Sequence, residues 1–245
     1  MNQKIAIVCS GGGMRCGYTG GVLVAIAREL NFISPDVIIA GSGSAGFALY
    51  YLTQQYEAIK KIAVELLATP KFISFLRLNK IMDIDYLIDV VFKQQQPLDL
   101  EKLSLTTSSY YIPIKDLGSG EIRYFSNRDN VDVFEVLRAT KAIPYFYKRK
   151  ISLGGSQYVD GSTFSQLKKM IDKAIELDAD KVLVIDCRTI MGTLPKYIDG
   201  QVFVISNPKI PSKLLTRNAK KLQKTYEMGY SDVVNNKALE GWLKA

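Results

Sequence analysis

A chain of 245 residues, 47% apolar and 23% charged, has material for a full hydrophobic core, which excludes a disordered or low-complexity polypeptide. Cys9, Cys16 and Cys187 are too few and too scattered for a disulfide framework, no CxxC pair suggests zinc, and the absence of any histidine excludes a Ser-His-Asp triad. A net charge of +8 favours anionic partners without choosing among nucleic acid, an acidic substrate and an anionic lipid surface.

Residues 3–9 read as a strand, followed by a glycine-rich turn at 11–13 and a helix from about Met14 to Leu30. A second strand covers Val37 to Ala40. A long helix is expected from about Ala45 to Leu67, where Ala48, Leu49, Leu52, Tyr56, Ile59, Ile62 and Ala63 recur at helical spacing, and Pro70 ends it. Residues 71–95 read as shorter amphipathic helices, and residues 103–126 alternate like two strands around Leu117-Gly118-Ser119-Gly120. A short helix at 131–140 precedes a hairpin that turns at Gly154-Gly155. The helix 165–177 leads into the buried strand Lys181 to Ile185, a strand follows at 202–206, and two helices close the chain.

Strands alternating with helices predict one α/β domain over residues 1–245, a mostly parallel central sheet in a three-layer α/β/α arrangement. No run approaches the roughly 18 apolar residues of a membrane span, and no basic segment with an apolar core and cleavage site precedes the first strand. A cytoplasmic protein is expected. The basic residues mostly belong to solvated helix faces, and no RNA-recognition or helix-turn-helix pattern accompanies them, so nucleic acid is a disfavoured partner.

Two turns carry chemistry. The loop Ser10-Gly11-Gly12-Gly13-Met14-Arg15 follows a strand and opens a helix. A dinucleotide fingerprint fails at Cys16, where a third glycine is needed, and a P-loop fails because Gly17-Tyr18-Thr19 has no lysine. An oxyanion hole and a purely structural tight turn both remain consistent with it. The second turn, Ala40-Gly41-Ser42-Gly43-Ser44-Ala45-Gly46, joins the second strand to a helix in the layout of a nucleophile elbow.

Together with Tyr158-Val159-Asp160-Gly161-Ser162, these turns resemble the patatin-like phospholipase family, whose pattern is a GGGxR loop, a small-residue serine elbow and a later Asp-Gly motif. Supporting stretches are Gly21-Val22-Leu23, Ala139-Thr140-Lys141-Ala142-Ile143-Pro144 and Asp116-Leu117-Gly118-Ser119-Gly120-Glu121. The resemblance implies a serine acyl hydrolase working through a Ser-Asp dyad, with Ser44 as nucleophile and Asp160 as base. Gly11, Gly12, Gly13 and the N–H of Ala45 would form the oxyanion hole. Arg15 has two readings, a contact to a substrate phosphate and a brace for the loop.

The implied partners are phospholipids or other acyl-ester lipids, with peripheral contact to an anionic membrane, and no cofactor or metal is called for. The segment 72–81 mixes bulky apolar and basic residues as an interfacial element would, but core packing is the favoured explanation. Tyr145, Phe146 and Tyr147 are a candidate wall for an acyl pocket.

Cys16, Ser42 and Ser162 stand where the family has glycine, which keeps open an alternative, a catalytically silent relative that binds lipid or a protein partner. Ser165 and Lys168 match SxxK without the companion motifs of that chemistry, and Cys9 and Cys187 read as buried apolar residues.

Overall fold

The computed structural model describes residues 3–161, 166–189 and 197–244. Its centre is an eight-stranded sheet: β1 (Ile5–Cys9), β2 (Val37–Ala40), β3 (Ser109–Asp116), β4 (Ile122–Ser126), β5 (Ile151–Leu153), β6 (Ser156–Asp160), β7 (Lys181–Asp186) and β8 (Val202–Ser206). The strands pair in the order β5-β6-β3-β2-β1-β7-β8, with β4 also on β3. The pairings β2/β3, β1/β2, β1/β7 and β7/β8 are parallel, and those among β3, β4, β5 and β6 are antiparallel.

The central strands are continuous apolar runs because both faces are covered. Ile7, Cys9, Ile38, Ala40, Leu183 and Ile185 point into one core layer, and Ala6, Val8, Val37, Ile39, Val182 and Val184 into the other. The first layer packs under α1 (Gly17–Glu29) and α2 (Gly43–Leu52). The second is closed by Leu167, Met170, Ile171 and Ala174. This is the expected three-layer α/β/α architecture, with an antiparallel margin on one side.

The expected helix from Ala45 to Leu67 is three pieces. After α2 the chain turns through Thr53, Gln54 and Gln55 into α3 (Tyr56–Lys61), which runs on as a wide π-type turn over Ile62–Leu66. Thr53 Oγ1 lies within 3.2 Å of the Leu49 and Tyr50 carbonyls, and Gln54 takes φ = 58°. Polar side chains that bond to nearby backbone offer an alternative to the helical ladder. The apolar periodicity resumes beyond the break, which is why the sequence reads as one helix.

Residues 71–83 contain no helix. Arg77 organises this stretch by donating to the carbonyls of Lys71 and Phe72 (both 2.9 Å) and to Asp83 (3.1 Å). A π-type helix spans only Tyr86–Gln95, and α4 (Leu100–Leu105), α5 (Val133–Lys141) and α6 (Gln166–Glu176) follow. The chain ends in α7 (Ala219–Val234) and α8 (Lys237–Lys244). Helices α1 and α7 cross at Gly21 and Gly229; a Cβ on either would fall about 2 Å from a backbone oxygen of the other helix, Tyr226 or Tyr18. No helix among the described residues is long and apolar enough to cross a membrane.

One detail of the sheet positions the site. Tyr111 of β3 pairs with both Ile39 and Ser126, while Ile114 pairs with both Arg123 and Asp160. A strand has two edges, so β4 occupies one edge and β2 and β6 lie end to end along the other. Asp160, the last residue of β6, therefore sits just past the carboxyl end of β2, where the serine turn emerges.

Candidate active site

β2 ends at Ala40, and the turn to α2 is made by Gly41 and Ser42. Ser42 holds φ = 52° and ψ = −129°, a region that residues with a Cβ avoid; such a conformation costs on the order of 1–3 kcal/mol and persists only where neighbours fix it. Here the Ser42 N–H donates to Thr140 Oγ1 at 3.0 Å, and that hydroxyl donates to the Pro113 carbonyl at 2.9 Å. The strained residue stands at the positive end of α2.

Ser44 does not occupy the turn. It lies in the first turn of α2, fully buried, with its Oγ 2.7 Å from the Ser10 carbonyl and 3.1 Å from Thr19 Oγ1. Its N–H bonds to the Gly41 carbonyl at 3.1 Å, and the Ala45 N–H bonds to the Ser42 carbonyl at 3.2 Å. Ser44 is thus buried rather than presented above the sheet, the Ala45 N–H is already bonded, and the residue of this turn with positive φ is Ser42. Ser44 instead pins the glycine loop to the helix.

Gly11, Gly12, Gly13, Arg15, Ser42 and Asp160 line one surface cavity, together with Pro144, Tyr145, Arg188 and Leu214. Among the described residues the N–H groups of Gly11, Gly12, Gly13 and Gly43 donate no hydrogen bond within the protein. Gly13 has φ = 57°, and a Cβ there would lie 2.6 Å from the Leu214 carbonyl oxygen, so the position admits only glycine. Asp160 is anchored by its N–H to the Ala142 carbonyl at 3.1 Å. The next residue must be small, since a Cβ on Gly161 would meet the β3 backbone at 2.7 Å. Ser162 and Ser165 lie outside the described residues.

Arg15 donates from Nη1 to Thr189 Oγ1 at 2.7 Å, and its Nε is 3.4 Å from the Gly12 carbonyl. These are bracing contacts, made by a side chain that also forms part of the cavity wall. Arg188 was not anticipated from the sequence. Its guanidinium grips Asp186 through Nε and Nη2, both at 2.8 Å, and no motif marks it. Cys16 and Cys187 face each other under the loop at 3.7 Å; burial and the Cys187 contact push the Cys16 thiol well up, which keeps it protonated. Among the described residues no group of three or more Cys, Asp or Glu is arranged to hold a metal ion.

A second cavity opens on the other side of the same turn. Ser42, Gly43 and Gly13 form one end, and Phe47, Leu67, Phe72, Ile84, Leu87 and Phe92 are among its apolar walls. Tyr147, expected as a wall, is instead buried, with its hydroxyl 2.6 Å from Asp85; Tyr145 and Phe146 do line the surface cavity. The deep cavity contains one amine. Lys141 is 4% exposed, and its Nζ makes no hydrogen bond, a state that costs on the order of 1–3 kcal/mol for a buried polar group and more when it is charged. Burial pushes this amine down to about 7, against the opposing pull of Cys16 and Asp160.

Chemically, the surface cavity gathers one hydroxyl, one carboxylate and a set of amide donors along its wall, and Ser42 and Gly13 also line the apolar recess.

Known proteins resemble this chain in sequence and in fold. The uncharacterized protein YjjU of Escherichia coli (strain K12) is 29% identical over 164 residues, an alignment covering 64% of this chain. The chain spans 45% of that relative's length. The crystal structure of VipD from Legionella pneumophila superposes with a TM-score of 0.58, covering 95% of this chain and 67% of VipD, at 9% identity, a likeness of fold. A family model described as patatin-like phospholipase matches residues 7–167, which include the glycine loop, the serine turn and Asp160. A match over that much of the chain means that it belongs to the patatin-like phospholipase family.

Proposed function

We propose that the protein is a serine acyl hydrolase of lipid esters in which Ser42, rather than Ser44, is the nucleophile and Asp160 the general base. The observation that carries this reading is the strained backbone of Ser42 at a strand-helix turn, in a cavity shared with Asp160 and the glycine loop. Strain of this kind is retained where a side chain has to be presented at a fixed angle.

The reaction follows from these groups. Asp160 takes the proton of the Ser42 hydroxyl as Oγ attacks the ester carbonyl carbon, and the carbonyl oxygen becomes an oxyanion. Amides of Gly11 to Gly13 and of Gly43, the residue after the nucleophile, are the donors available to it. Collapse breaks the bond to the alcohol, which leaves with the proton from Asp160. Water then enters and gives a proton to Asp160 as its oxygen attacks the acyl carbon; collapse breaks the bond to Ser42 Oγ, which takes that proton back from Asp160 as the acid leaves. An aspartate is a weak base for a hydroxyl, so the oxyanion donors have to supply much of the rate. The apolar cavity would receive the acyl chain.

A lipid surface as the source of substrate is supported by the rim. Phe75, Leu76, Leu78 and Tyr145 are exposed, and their two loops are joined by the Lys148 N–H to the Asn79 carbonyl at 3.0 Å. Lys148, Arg149 and Lys150 flank them, which fits an anionic membrane. Sedimentation with anionic vesicles that is unaffected by L76D/L78D would remove this part of the proposal.

The central test is labelling with a fluorophosphonate together with p-nitrophenyl ester turnover. Wild type labels and turns over; S42A loses both, with turnover down at least ~10⁴-fold, and D160N falls comparably, while S44A keeps its label. Labelling that survives S42A and disappears in S44A would return the nucleophile to Ser44. A folded wild type that neither labels nor hydrolyses esters would overturn the enzyme.

A further inference from the structure

Lys141 is the last residue of α5, and its neighbours on both sides hold the dyad residues. Thr140 accepts from the Ser42 N–H, and the Ala142 carbonyl accepts from the Asp160 N–H. The backbone of Lys141 is thereby fixed beside both groups. Its side chain does not run to the surface, as lysines near a helix end normally do. It enters the apolar cavity, where Nζ is 5.8 Å from the centre of the Phe92 ring and 3.9 Å from where a Cβ on Gly46 would be.

The only other buried lysine among the described residues behaves differently. Lys181 donates from Nζ to the Trp242 carbonyl at 2.7 Å and lies over that residue's ring. Lys141 has three potential donors and no acceptor, although Asp160 is near enough to act on it through its charge. A cavity meant only for hydrocarbon has no use for an amine, and a saturated chain seated there would leave it unpaired.

We propose that this cavity takes an acyl chain bearing an acceptor oxygen, as a hydroxyl, oxo or carboxylate substituent, and that Lys141 is the donor that recognises it. The proposal rests on the hydrolase reading for the direction in which the chain enters. It makes Lys141 a specificity-determining residue: an oxygenated chain satisfies the amine, and a plain chain of equal length does not. Sites built around a hydrogen bond reject analogues that lack the partner far more strongly than they sort chains by length.

The experiment compares p-nitrophenyl octanoate with a series of p-nitrophenyl hydroxyoctanoates carrying the hydroxyl at successive positions, on wild type, K141M and K141Q. Methionine keeps an unbranched side chain without a donor, and glutamine keeps an N–H donor. Wild type is expected to favour at least one hydroxy ester by 10-fold or more in kcat/KM. K141M brings the ratio to about 1, and K141Q restores part of the preference. A ratio unchanged in K141M, or a wild type that prefers the plain ester at every position, overturns the proposal.

The same esters are also read as Tm shifts on S42A and on S42A/K141M, where binding is seen without turnover. A preference in these shifts that depends on Lys141, in a protein whose wild type hydrolyses nothing, would uphold the oxygen-binding cavity and sink the hydrolase. Hydrolysis without any such preference would do the reverse.

Discussion

Ser42 and Ser44 are the same residue type two positions apart, and the fold uses them in opposite ways. Ser42 has a left-handed backbone, lies on the cavity wall and is held through its main chain by Thr140. Ser44 has ordinary helical surroundings, no exposure, and a side chain committed to Ser10 and Thr19. The first is costly to the fold and available to a ligand; the second stabilises the fold and is unavailable. Two serines in one short motif thus divide presentation and support between them.

The sharpest way to break this contrast is to disturb the loop that Ser44 secures. G13A forces a Cβ into a position with φ = 57° and against the Leu214 carbonyl, so ester turnover is expected to fall about 10²–10³-fold, the scale of a lost oxyanion donor. Turnover within a few-fold of wild type would show that the loop plays no part in the chemistry. S44A comes next: urea denaturation is expected to show a loss of about 1–3 kcal/mol, because the buried Ser10 carbonyl keeps only the weak Cys187 Sγ donor at 3.6 Å. An unchanged midpoint would mean that Ser44 supports nothing.

Lys141 connects the site to stability through pH. Its amine titrates near 7 in the fold and near the ordinary lysine value of about 10.4 when unfolded. Between these values the unfolded chain binds more protons, so stability rises with pH, by up to about 1.4 kcal/mol per unit. Below about 7 both states are protonated and the contribution is flat. Wild type is therefore expected to gain stability relative to K141M from pH 7 to 8.5, and parallel profiles for the two proteins would contradict the shift. Asp160 and Cys16 are coupled to the amine, so their own response to its removal is part of the measured difference.

The smallest effect tests the strain itself. S42G removes the Cβ from a conformation glycine adopts freely, and is expected to raise stability by about 1 kcal/mol while abolishing activity. A destabilised S42G would mean that the turn is not strained.

Much of this was legible in the sequence for a physical reason. β1, β2 and β7 are unbroken apolar runs bounded by polar or small residues, and burial on both faces leaves that mark. The glycine loop and Asp160-Gly161 were legible because close backbone approach demands glycine there. The serine register was not, since Gly41-Ser42-Gly43-Ser44-Ala45-Gly46 offers small residues around either serine, and the choice depends on where β2 stops. The break at Gln54 and the loop at 71–83 are made by individual hydrogen bonds of Thr53 and Arg77, which leave no period in the chain. Lys141 and Arg188 carry no motif, and only the folded chain shows that one is unpaired while the other grips Asp186.

The sharing of one β3 edge by β2 and β6 has a kinetic side. Ser42 follows β2, which meets β3 through Ile39 and Tyr111, and Asp160 ends β6, which meets β3 through Ile114. Both closures are long-range contacts, of the kind that forms slowly because loop entropy is lost before any bonding is gained. During refolding, the return of ester turnover would then trail the return of helical signal, and catalytic competence would serve as a clock for the final docking of the sheet.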